Sequence, residues 1–105
     1  MSDSAAPTGT LEVAMAQALR LLDQDPTLAF EQAREILAVH PGHPAALVLQ
    51  AAAKRRGGDP VAALALLEPV LQMQPDWSPA RYERALALSL NGQGEAAIEA
   101  LRELL

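Results

Sequence analysis

Apolar residues along this chain return three and four positions apart in stretches of roughly 12–14 residues, the spacing of one face of a helix. In "PVAALALLEPVL" the pattern runs through Ala63, Leu67, Val70 and Leu71. Short polar segments interrupt it: "QDP" at 24–26, "HPGHP" at 40–44, "GGDP" at 57–60, "QPDWSP" at 74–79 and "NGQG" at 91–94. Six helices are predicted, near 10–23, 27–39, 44–56, 60–73, 78–90 and 94–105. Residues 1–9, small, polar and acidic, are expected to form a disordered tail.

The interruptions have the chemistry of helix ends. Asp25 and Asp59 can accept hydrogen bonds from the open N–H groups of a first turn, and Pro26 and Pro60 stand where no N–H is needed. Ser78-Pro79 offers the same arrangement. Gly57-Gly58 and Asn91-Gly92 supply a left-handed residue to end the helix before them. Pro41 and Pro75 stop a helix, while Pro44 and Pro79 begin the next. Pro69 falls inside the fourth stretch and predicts a bend around 65–69, because its ring crowds the carbonyl four residues back.

The breaks are periodic. Asp25-Pro26 and Asp59-Pro60 are 34 residues apart, as are Pro41 and Pro75, and Gly58 and Gly92. The same offset superposes Ala29, Ala63 and Ala97, then Ala33, Leu67 and Leu101, then Ile36, Val70 and Leu104. A repeat of this length is a supersecondary unit that buries its apolar face against its neighbours. Units of about 10–43, 44–77 and 78–105 follow, the last of them incomplete.

Composition narrows the function classes. At 105 residues the chain makes one domain. Its 22 alanines and 18 leucines against three aromatics favour helices packed closely through small side chains. A net charge of −5 argues against nucleic acid and anionic lipid as partners. The absence of cysteine fits a reducing compartment, and neither a signal sequence nor an apolar run of spanning length is visible. A cytoplasmic protein without membrane attachment is expected.

With Ala63, Leu67 and Pro75 in one unit, Ala29, Ala33 and Pro41 in another, and Ala51 and Ala85 at the small position of a first helix, the chain resembles a tetratricopeptide repeat array. Leu47, Gln50 and Lys54, and Arg81, Arg84 and Leu88, stand where that pattern has Trp, Leu and Tyr. The stretches "AREILAVHPGHPAAL", "GGDPVAALALLEPVL" and "NGQGEAAIEALREL" are similar to N-terminal repeat regions of bacterial proteins of this family, including some with a sulfotransferase domain downstream. The resemblance implies an all-α fold, a right-handed superhelical stack of about three antiparallel helix-turn-helix hairpins. It also assigns the concave surface to the first helix of each unit. Helical spacing then places Ala14, Met15, Ala18, Ala45, Val48, Leu49, Ala52, Arg55, Tyr82, Glu83, Leu86 and Ser89 there.

Other motifs have plainer readings. "GQGEAA" has the glycine spacing of a dinucleotide fingerprint, but it follows a helix rather than a strand and reads as a hairpin turn. His40 and His43 have no third ligand and read as a solvated turn pair, so no metal is expected. "KRR" at 54–56 ends a helix, where cations complement the dipole, and Arg55 is the best single charged contact for a partner. Ser78 has no base to activate it. Glu68, Glu83, Glu95, Glu99 and Glu103 read as solvated faces. Trp77 reads as a staple on the following helix, with an exposed binding aromatic as the alternative.

No catalytic constellation or cofactor site emerges. The expected function is binding of a peptide or partner helix from another protein in a mostly apolar groove; the alternative is an N-terminal scaffolding segment of a larger enzyme such as a sulfotransferase. Family members that hold chaperone-tail carboxylates use Lys, Arg and Asn on their first helices. Ala14, Ala18, Leu49, Pro79 and Glu83 stand there instead, so an acidic tail is not the expected ligand. Ile98, Leu101, Leu104 and Leu105 form one stripe on the last helix, and a homodimer or concentration-dependent oligomer through that helix is expected.

Overall fold

Each polar interruption lies at a helix boundary in the computed structural model, which describes residues 6–105, with side chains from Leu11 onward. The helices are α1 (Ala6–Gln24), α2 (Pro26–Val39), α3 (Pro44–Arg56), α4 (Pro60–Met73), α5 (Ser78–Leu90) and α6 (Gly94–Leu104). Of the tail expected at 1–9, residues 1–5 lie outside the described residues, and residues 6–9 belong to α1.

The helix ends follow the local chemistry. Asp25 accepts a hydrogen bond from the Leu28 N–H at 3.1 Å, and Asp59 from the Ala62 N–H at the same distance. Both tie down a donor that a first turn leaves open. At the ends of α3 and α5 the closing bonds recur one repeat apart. The Asp59 N–H donates to the Lys54 carbonyl and the Gly58 N–H to that of Arg55; Gln93 donates to Leu88 and Gly92 to Ser89. This double bond pattern needs a left-handed residue between the two donors' partners and the chain's exit. Gly58 and Gly92 supply it with φ of 89° and 80°, whereas Gly57 and Asn91 do not.

One boundary differs from expectation. Ser78 is not a cap: it is the first residue of α5, and Trp77 holds the cap position without a side-chain bond. In the 34-residue register Ser78 matches Pro44, and the cap positions match as His43 and Trp77. His43 does cap, its Nδ1 accepting from the Ala46 N–H at 3.2 Å. It also meets His40 edge-on, with ring centroids 6.2 Å apart. Helix α4 runs on through Pro69, which is exposed.

Consecutive helices pack as hairpins, α1 with α2, α3 with α4 and α5 with α6, and each hairpin's second helix receives the next hairpin's first. Alanine makes this closeness possible. Ala29, Ala33, Ala46, Ala51, Ala63, Ala80, Ala85 and Ala87 have no exposed surface. Two apolar cores result. One joins Ala18, Leu22, Ala29, Ala33, Leu49, Ala52 and Ala53; the other joins Ala51, Ala63, Leu67, Val70, Ala80 and Ala87. The resulting stack is elongated, 55 × 26 × 21 Å.

Candidate partner-binding groove

The first helices form a continuous row, since α1 touches α3 and α3 touches α5. Among the described residues the second helices α2, α4 and α6 do not touch one another. Elements that meet on one side and part on the other curve the stack, and the row of first helices lies on the inner side.

All twelve residues expected on the concave surface are on this row, but they divide by burial. Ala18, Leu49, Ala52 and Glu83 are buried. Ala18, Leu49 and Ala52 belong to the core between the first two hairpins, so they hold the row together. Ala14, Met15, Ala45, Val48, Arg55 and Leu86 are half-buried, and Tyr82 and Ser89 are exposed. Tyr82 presents 52% of its surface on α5. Leu90, which the spacing argument missed, is equally exposed at the end of that helix.

The two charged residues among the twelve pair with each other. The Arg55 guanidinium donates through Nε to Glu83 Oε2, and its Nη2 lies 3.4 Å from Glu83 Oε1. The Arg55 and Glu83 side chains retain 19% and 8% of their exposure. A carboxylate that the sequence reading placed among solvated faces is therefore buried, and a guanidinium balances it. Arg55 is engaged within the chain before any partner arrives.

Its neighbours in the "KRR" run are engaged as well. Lys54 Nζ lies 4.6 Å from the centroid of the Phe30 ring, and Arg56 pairs with Asp23 on α1. All three cations lie in the last turn of α3, and each reaches another helix. The run thus fastens the second hairpin to the first and the third. Helix capping alone does not account for that. A separate pair, Arg34 with Glu31, sits on α2; its hydrogen bond to Glu31 raises the guanidinium pKa above its usual value.

Trp77 is half-buried and packs against the second core, beside Val70 and Ala80 in that cluster. It sits at the cap position itself rather than one residue before it, so it is not the staple expected of a residue preceding Ser78, and its contact is with the apolar core.

Residues 54–105 match the family model of the tetratricopeptide repeat. The match spans the second half of the chain, and the same hairpin recurs 34 residues earlier. The chain is a tetratricopeptide repeat protein. No match was found among curated proteins or among solved structures. Tetratricopeptide repeats generally mediate protein–protein interaction, and the family is typically non-catalytic. Among the described residues no helix is long and apolar enough to cross a membrane.

Proposed function

We propose that this tetratricopeptide repeat protein is a non-catalytic interaction module that takes an extended peptide or a single partner helix along α1, α3 and α5. One observation carries the reading. Of the twelve residues expected on the concave surface, those left accessible are chiefly apolar, with Tyr82 exposed and Met15, Val48 and Leu86 half-buried, while Arg55 and Glu83 neutralise each other. An amphipathic helix or an extended segment with alternating apolar anchors suits such a surface. An acidic tail does not, because the row offers it no unpaired cation at the expected positions. The lack of cysteine supports a reducing, cytoplasmic setting.

Panning of a random peptide library on the chain tests this. Enriched peptides should carry apolar anchors, lose about tenfold or more in affinity with Tyr82→Ala, and be indifferent to Leu28→Ala on α2. Enrichment of acidic termini, or binding unaffected by Tyr82→Ala and Val48→Asp together, would overturn it.

A further inference from the structure

The 34-residue register shows what normally covers the stripe at the end of α6. Leu101 corresponds to Leu67 and Ala33, and Leu104 to Val70 and Ile36. In the first two hairpins those residues retain no more than 5% exposure, because the next hairpin's first helix lies over α2 or α4. In the third, Leu101 and Leu104 are half-buried, and Ile98, the counterpart of Phe30 and Leu64, is 56% exposed. This face has the geometry of an interface the molecule already makes twice.

The helix built for such an interface is a first helix, and α1 is one whose docking flank is free among the described residues. Where α3 and α5 press Ala53 and Ala87 into the preceding hairpin, α1 presents Leu19, 56% exposed. Two residues depart from the match: Leu19 is bulkier than the Ala53 and Ala87 it replaces and holds the helices farther apart, and Glu12 occupies the position of Ala46 and Ala80, both without exposed surface. A carboxylate there opposes close approach and keeps the contact weak.

We propose that the 105-residue chain associates head to tail, α1 of one copy docking on α6 of the next and continuing the stack across the molecular boundary. The two contacting faces are different, so the association is heterologous and extends beyond a dimer unless it closes into a ring. This goes beyond peptide capture in the groove and uses neither Tyr82 nor Arg55.

Sedimentation velocity over a wide concentration range tests it. The average mass should rise with concentration past that of a dimer. Leu19→Glu and Leu101→Glu should each raise the dissociation constant about 10- to 100-fold. An equimolar mixture of the two should associate again but stop at a heterodimer, because only one head and one tail remain intact. Glu12→Ala should tighten the contact about tenfold. Should Leu101→Glu lower the helical signal, Ile98→Glu at the exposed counterpart takes its place. A parent chain that stays monomeric throughout would overturn the proposal, and so would a Leu19→Glu chain that dimerises as the parent does, which would mean an α6-to-α6 contact.

Discussion

The two junctions between successive hairpins share a backbone plan and differ in chemistry at nearly every variable position. On the inner side, the junction of the second and third hairpins holds the Arg55–Glu83 pair. At the corresponding positions of the first junction stand Leu49, in an apolar core, and the half-buried Leu21 packed against it. The rim reverses this order. The first junction has the Arg56–Asp23 pair, and the second has exposed Leu90 and Gly57 at the same positions. In the outer crevices, Lys54 over Phe30 corresponds to Leu88 and Leu64, and the crevice grows from about 310 to about 500 Å3. In the turns, the capping His43 corresponds to the core-packed Trp77.

The shared positions are the small ones. Ala29 and Ala63, Ala46 and Ala80, and Ala53 and Ala87 set how near the helices come, and all six are buried at both junctions. Helix spacing follows from side-chain size at these contacts. Once it is fixed, a leucine pair and an ion pair become alternative ways of filling the same inner site. The first is insensitive to its partner's identity. The second demands it, because one unpaired buried charge costs more than the pair returns.

Replacing a single member of the inner pair should therefore have the largest effect. Glu83→Leu leaves Arg55 largely enclosed without its carboxylate and should cost about 3 kcal/mol in urea unfolding. The double variant Arg55→Leu/Glu83→Leu reproduces the residue types of the first junction and should return to within about 1 kcal/mol of the parent. A double variant as unstable as Glu83→Leu would show that the two inner sites are not equivalent in shape.

The turns should differ by a smaller margin. Trp77→Ala removes apolar contact with the second core and should cost about 2 kcal/mol. His43→Ala removes a single cap and should cost about 1 kcal/mol. Thermal melting of the two variants side by side checks the order; equal losses would mean that Trp77 packs no better than a cap.

The smallest effect belongs to the outer crevice. Lys54→Met keeps the stem and removes the cation above Phe30, and should cost about 0.5–1 kcal/mol. A larger loss would make the Lys54–Phe30 contact a main fastening of the first junction.

The sequence made the helices readable because their ends are built from neighbours in the chain. An aspartate bonds an N–H three residues on, and a proline or a left-handed glycine acts at its own position. Asp25, Asp59, Gly58 and Gly92 were legible for that reason. Ser78 misled because it belongs to the residue types that cap, while the repeat register assigns the cap to Trp77. Placement of the twelve groove residues on the first helices followed from the family resemblance, which assigns the concave surface to those helices, together with helical spacing. Their division into covered and accessible did not, since Ala18 and Ala14 share a residue type and a helix, and Ala18 is covered by the packing of α2 and α3 around it.

By itself, then, the sequence determined the repeat length, the six helices and the small residues that let them touch, all properties carried by the residues' own conformational preferences and by contacts within a few positions. Only the tertiary structure decided that Arg55 meets Glu83 28 residues away, that Arg56 turns back to Asp23, and that Lys54 lies over Phe30. Three adjacent cations with the same local signature face three different helices. Their partners are fixed by the angle and separation at which one hairpin stacks on another, and no local spacing encodes that geometry.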